Sequence, residues 1–344
     1  MAQPERRVRV AVDALAGDHA PEAMVEGALA ALEDDPLLDV LLVGPVARLE
    51  AELAARGALS RLASGRLRLV ESPRRVEEGE APVRLLRADP QLSVAVTARL
   101  VRDGEADAGL SVGHTGATLA AAALVLGLLP GIERPVAGVA FPFAPQTFVL
   151  DLGPNVDVNP RHLVDFARMG AVYAQCFLGV EEPEVALLAN GQERGKGNRQ
   201  TRAAYELLER SELRFRGYVE GQDLVLGSAH VVVVDGFTGN VLLKFLEGLA
   251  AYLGGRLRAA LAAEGVAPGP ALRSLLEMLE VLGDATRVDS VPLILGVNGI
   301  FLPGHGRSQA EDVRRLVAAA ARAVRSGVLP RLREALNSAE VGSR

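Results

Sequence analysis

Short Val- and Leu-rich runs alternate along this chain with longer Ala/Leu/Arg stretches whose apolar residues recur at helical spacing. The strand-like runs are 8–13, 40–43, 66–70, 108–112, 136–141, 147–151, 185–189, 214–219, 230–235 and 293–297. The helix-like runs are 21–33, 46–56, 93–104, 115–128, 160–178, 198–210, 241–263, 271–282 and 308–327. Strands that are nearly continuous in apolar residues, separated by helices, predict an α/β fold: a mainly parallel sheet with helices on both faces, hence three α/β/α layers. At 344 residues the chain suits one large domain or two fused lobes.

Composition narrows the function classes. Aromatic residues are only 4% and Trp is absent, so the core is built from Leu, Val and Ala, and a base-stacking platform for single-stranded nucleic acid is disfavoured. A net charge of −6 argues against a general polyanion binder, so no nucleic-acid partner is expected. One cysteine, Cys176, excludes an internal disulfide framework or a Cys-rich metal site, and its place among helical apolar residues reads as small-residue packing. The charged N-terminus runs straight into a strand, and no uncharged apolar stretch reaches 18 residues, so the expected compartment is the cytoplasm.

In parallel α/β sheets ligands sit beyond the carboxyl ends of the strands. Here those positions carry unusual turns: Ala16-Gly17-Asp18-His19 after the first strand, Gly113-His114-Thr115-Gly116, Gly153-Pro154-Asn155, Asn190-Gly191 through Gly195-Lys196-Gly197-Asn198, Gly236-Phe237-Thr238-Gly239-Asn240, and Asn298-Gly299. Glycine lets backbone N–H groups turn toward a ligand, and a following helix adds partial positive charge. Several such turns on one sheet edge describe an anion-binding cleft. Two of the 37 basic residues are lysines, Lys196 and Lys244, and both lie beside Gly-Asn segments. A lysine supplies a compact, mobile charge that the arginine fork does not. The common nucleotide and metal signatures are missing: no G-x-x-x-x-G-K-[ST], no G-x-G-x-x-G, no H-E-x-x-H. No metal and no cofactor are expected.

Together these segments resemble one family. V-A-V-D-A-x-x-G-D-H-A-P at 10–21 is similar to the opening motif of the bacterial phosphate acyltransferases, the acyl-ACP:phosphate transacylases of phospholipid synthesis. E-G-A-L (26–29), G-E-A-D-A (104–108), T-G-A (115–117), P-G-I-x-R-P (130–135), D-L-G-x-N-V-D (151–157), F-A-x-M-G-x-V-Y-A (166–174), K-G-N (196–198), V-E-G (219–221), D-G-F-T-G-N-V-x-L-K (235–244) and L-G-V-N-G (295–299) follow in order. The departures fall in the turns: Leu15-Ala16 for the usual Met-Gly, His114 for Asn, Pro154 for Ala, 189–193 for N-I-G-E-E, and 286–291 for a Tyr- and Gly-containing stretch.

The resemblance implies a fold like that of the phosphotransacetylases and the isocitrate and isopropylmalate dehydrogenases, in a single domain over 1–344 with a helical protrusion at about 248–285. It implies that orthophosphate attacks the thioester of a long-chain acyl-ACP, giving acyl phosphate for glycerol-3-phosphate acylation. It also implies a homodimer, peripheral contact with the cytoplasmic membrane, and glycerol-3-phosphate acyltransferase as a partner. With phosphate as nucleophile the site needs positioning and oxyanion donors rather than an activated Ser or Cys. Lys196, Asn198, Asn240 and Asp235 are the candidate catalytic residues. Asp13, Gly17, Asp18, His19, Gly113, His114, Thr115, Gly116, Gly191, Gly239 and Asn298 are the candidates for substrate and phosphate binding. Plain structural readings stand beside these: helix caps for Asn198 and Asn240, loop support for His19 and His114, strand-end carboxylates for Asp13 and Asp235, a solvated lysine for Lys196. An acetyl- or butyryltransferase using acyl-CoA, and a catalytically impaired scaffold for carrier protein or membrane, remain as alternatives.

Overall fold

The computed structural model describes residues 6–77, 79–141, 146–283 and 291–341. The first five residues of the charged N-terminus, 284–285 at the end of the expected protrusion, and 286–290 of the divergent stretch lie outside them. The chain divides into two compact units, Met1–Pro135 with Val291–Arg344, and Val136–Ser290.

The first unit is built on five parallel strands in the order Phe301–Pro303, Ala108–Ser111, Val8–Asp13, Leu38–Gly44, Leu67–Glu71. Asp13 pairs in register with Val43, and Val12 with Leu110, so the central strands end level. Ala11, Leu41 and Val43 face the helix Ser93–Arg102 through Val96 and Leu100. The helices Glu22–Asp34 and Ala310–Ser326 pack on each other and on the sheet. Their approach is close: a Cβ on Gly27 would lie 2.4 Å from the Ala310 carbonyl oxygen. The central strand is buried on both faces, as a parallel layer between helices requires. The triplet Phe301–Pro303 has too little length to show periodicity, and its proline is tolerated because it sits at the sheet edge.

The second unit carries the strands Val136–Phe141, Thr147–Leu150, Val231–Val233, Val185–Leu188 and Phe215–Val219 in that spatial order. The last four run parallel; the first pair is antiparallel, because so short a connection cannot carry a crossover. One face packs on the helix Pro160–Tyr173, where the Tyr173 ring stacks on Phe148 at 3.7 Å between centroids. On the other face, Leu243 of the helix Gly236–Glu264 joins Val149, Ala186 and Val232. That helix then runs on against Pro270–Gly283. Among the described residues no helix is long and apolar enough to cross a membrane.

Candidate functional site

In the first unit the strand ends Asp13 and Ser111 lie side by side. Asp13 is 1% exposed; its Oδ2 accepts from the Ser111 hydroxyl at 2.9 Å and its Oδ1 from the Leu15 N–H at 3.2 Å. Burial pushes the Asp13 carboxyl above its ordinary pKa, and the Ser93 and Ser111 hydroxyls with the Leu15 and Ala16 amides work against it. The chain then turns through Gly17 at φ +94°, where a Cβ would meet Val112 at 3.0 Å and the Gly306 carbonyl at 3.1 Å. This position has room for glycine alone. Asp18 N–H donates to the same Gly306 carbonyl at 2.8 Å.

Beyond Ser111, His114 caps the helix Thr115–Ala121: its Nδ1 accepts from the Ala117 N–H at 3.3 Å, which leaves Nε2 as the ring's donor. Arg75 reaches over from the segment after Leu67–Glu71 and donates through Nη1 to the carbonyls of Leu15 and Gly17 at 3.1 and 3.0 Å. These groups line a cavity of about 570 Å³ that gathers the expected residues Asp13, Gly17, Asp18, Gly113, His114 and Thr115. Three other expected residues lie off it. His19 is exposed and its carbonyl accepts from Ala23 N–H at 2.9 Å. Gly116 sits against the His114 ring. Asn298 turns elsewhere, its Oδ1 accepting from Arg333 Nη2 at 2.7 Å.

In the second unit the cavity is about 480 Å³, lined by Asn190, Gly197, Asn198, Thr201, Asp235 and Thr238 over a floor of Leu163, Leu187 and Val233. Asn198 is the N-cap of Arg199–Glu209; its Oδ1 accepts from Thr201 N–H at 2.9 Å and Thr201 Oγ1 at 2.8 Å, so Nδ2 stays available as a donor. Asp235 caps Gly236–Glu264 in the same way, with Oδ1 accepting from Thr238 N–H and Oδ2 from Thr238 Oγ1, both at 2.9 Å. The Asn190 side chain accepts from Gly197 N–H at 2.9 Å and so closes the turn between them. Lys196 rides on that turn. It lies outside the cavity lining, its side chain 45% exposed, its stem across Gly191, and its ammonium 3.9 Å from Glu193.

Asn240 is not a helix cap. The helix expected over 241–263 begins at Gly236, and Asn240 lies within it, exposed, with its Oδ1 close to Gly153. The early start follows from close packing: a Cβ on Gly239 would fall 1.9 Å from the Asp151 carbonyl oxygen, and one on Gly236 2.8 Å from that of Asn155. Lys244, the other lysine, is exposed and pairs with Glu247 at 2.7 Å.

Several polar groups escaped the sequence reading. Asp151 is fully buried, and its carboxylate accepts from the N–H groups of Gly153 and Asn155 and from the Asn155 amide at 2.7–3.0 Å. Burial pushes its pKa up to about 6 against those donors. The D-L-G-x-N-V-D stretch was the signal for it. Ser111 stands in a Gly-Leu-Ser-Val-Gly string at 109–113, the spelling of a hydrolase elbow. It is nevertheless buried on the strand and bonded to Asp13, so it is not an exposed nucleophile. Arg75 had no signal in an arginine-rich background. Among the described residues no cluster of three His, Cys, Asp or Glu could hold a metal ion.

A fatty acid synthesis protein family model matches residues 8–331. A protein of Salinibacter ruber named phosphate acyltransferase is 41% identical over 335 residues, covering 96% of this chain and 98% of that one. One of the same name from Thermus thermophilus is 43% identical over 339 residues, covering 97% and 100%. Among solved structures, a phosphotransacetylase from Streptococcus pyogenes matches with a TM-score of 0.62 at 17% identity, over 92% of this chain and 94% of that one. The EutD phosphotransacetylase from Staphylococcus aureus gives 0.58 at 15%, over the same shares. These structures share the α/β architecture expected from the strand–helix alternation. The family match and the full-length relatives place the chain in the fatty acid synthesis protein family, among the phosphate acyltransferases.

Proposed function

We propose that this protein transfers a long-chain fatty acyl group from acyl carrier protein to orthophosphate, releasing acyl phosphate for phospholipid synthesis. The observation that carries the reading is the likeness, at 41–43% identity over nearly the whole chain, to relatives named phosphate acyltransferase. The reaction needs no protein nucleophile. A phosphate oxygen attacks the thioester carbonyl, the tetrahedral oxyanion collapses, and the carrier thiolate leaves. The protein holds the phosphate near the carbonyl and supplies donors where negative charge grows.

The second unit offers such donors. Asn198 Nδ2 is free of its capping duty, the Lys196 ammonium offsets phosphate charge, and Asp235 fixes the turn of the helix that carries Asn240. In the first unit, Gly17, Asp18, Gly113, His114 and Thr115 surround a polar cavity fitted to a substrate's polar groups, with Asp13 holding its base through Ser111. No metal and no cofactor enter this scheme.

The partner reading rests on the long helix. Phe237, Val241 and Phe245 follow at four-residue spacing, so they form one stripe, which Tyr252 continues; Phe237, Phe245 and Tyr252 are 63–66% exposed. Such a stripe suits a second copy of the chain or the cytoplasmic membrane surface, where glycerol-3-phosphate acyltransferase would receive the product. Gel filtration and flotation with anionic liposomes separate these two. Turnover with palmitoyl-ACP against acetyl-CoA tests the donor: preference for acetyl-CoA replaces this reading with a phosphate acetyltransferase, and no acyl phosphate from either leaves a scaffold.

A further inference from the structure

Tyr218 is 4% exposed, yet its hydroxyl has no hydrogen-bond partner among the described residues. It lies on the strand Phe215–Val219, in register with Leu187, whose strand leads into the turn that carries Lys196. The hydroxyl sits beneath that turn: a Cβ on Gly197 would be 3.3 Å from it. Gly197 adopts φ +84°, a conformation that leaves the turn free of side-chain bulk over the phenol. Tyr205 tilts against the Tyr218 ring at 4.7 Å, and Arg194 stacks over Tyr205 at 5.6 Å, so the ring is fixed from its flank. Burial pushes the phenol pKa above its usual value, which keeps it a proton donor.

A buried donor without an acceptor is destabilising, and a phenylalanine would fill the same space without that penalty. The hydroxyl therefore finds its use in another state of the turn, and the adjoining cavity is where a ligand would induce one. We propose that Tyr218 is a positioning residue for the Lys196–Asn198 turn: when an inorganic phosphate enters the cavity lined by Asn190, Gly197 and Asn198 and draws the turn toward it, the phenol donates to a main-chain carbonyl of the turn and holds the bound form. The inference rests on the reading of this turn as part of the phosphate site.

The test uses the full-length protein and its Tyr218→Phe variant, with inorganic phosphate as the probe. Without phosphate the variant melts at the same temperature as the wild type or higher. Its stabilisation by phosphate shrinks, and its KM for phosphate rises about tenfold, one hydrogen bond's worth, with a smaller change in kcat. A variant that is less stable without phosphate, or that fails to fold, overturns the proposal, because the hydroxyl is then already bonded. An unchanged phosphate shift and KM overturn it as well. Lys196→Ala run in parallel distinguishes the two levels. If it retains full turnover, the turn is not part of the site and the reading beneath the proposal falls. If it loses turnover while Tyr218→Phe keeps its KM, the role of Tyr218 alone is refuted.

Discussion

Two buried carboxylates stand at strand ends, and they are stabilised by different means. Asp13 accepts from the Ser111 hydroxyl of the neighbouring strand and from the Leu15 amide, whereas Asp151 is wrapped by the amides of its own loop. The shift at Asp151 has a definite sign. Its carboxyl loses its proton near 3.8 in the unfolded chain and near 6 in the fold, so the folded state binds more protons between those values. The contribution of Asp151 to stability therefore falls as pH rises from about 4 to about 7, by about 3 kcal/mol in all, taking 1.36 kcal/mol per pKa unit. Asp151→Asn removes that slope. Urea unfolding of variant and wild type across this range should show the variant gaining on the wild type by about that amount; a constant difference contradicts it. Lys196 makes the complementary case. Its ammonium is half exposed with one distant partner, so Lys196→Ala leaves the melting temperature unchanged and slows turnover about a hundredfold, the scale of a lost charge-assisted contact in the transition state. An unaltered kcat/KM removes it from the site.

At the scale of elements, strand ends and helix caps do most of the positioning. Asp235 holds the first turn of a 29-residue helix through Thr238, so Asp235→Ala costs about 1 kcal/mol from the lost cap. A fall in kcat much larger than the accompanying change in urea midpoint would give Asp235 a chemical role besides the cap. Gly239→Ala drives a methyl group into the Asp151 carbonyl, and an unfolding free energy lower by about 3 kcal/mol is expected in the same assay. The alternation of Val/Leu runs with amphipathic runs was enough to place ten strands and nine helices, because a short apolar run and a long amphipathic one are distinct patterns. Gly236 and Gly239 misled the start of the long helix. They read as loop residues in sequence, but they are small because Asn155 and Asp151 press against them from a loop some eighty residues earlier. The same tertiary origin hid Arg75 and Tyr218, whose neighbours come from distant parts of the chain. Glycine-rich strand ends were legible and led to both cavities; the exclusion of Asn298 was not, since its amide is taken by Arg333, thirty-five residues further on.

For the whole molecule, each compact unit carries its own cavity at the carboxyl ends of parallel strands, where such sheets bind ligands. The second unit also extends a helix whose exposed stripe is too apolar to be left against water without consequence. Phe237→Glu with Phe245→Glu should leave the fold intact and shift the protein to a smaller species in gel filtration or abolish liposome flotation; unchanged behaviour in both means the stripe is not a contact surface. The most direct measurement is the release of free carrier protein from palmitoyl-ACP by the purified protein, followed with and without orthophosphate. Release that requires phosphate and matches acyl phosphate one for one is expected. Release at the same rate without phosphate, or none in its presence, contradicts acyl transfer to phosphate as the activity of this chain.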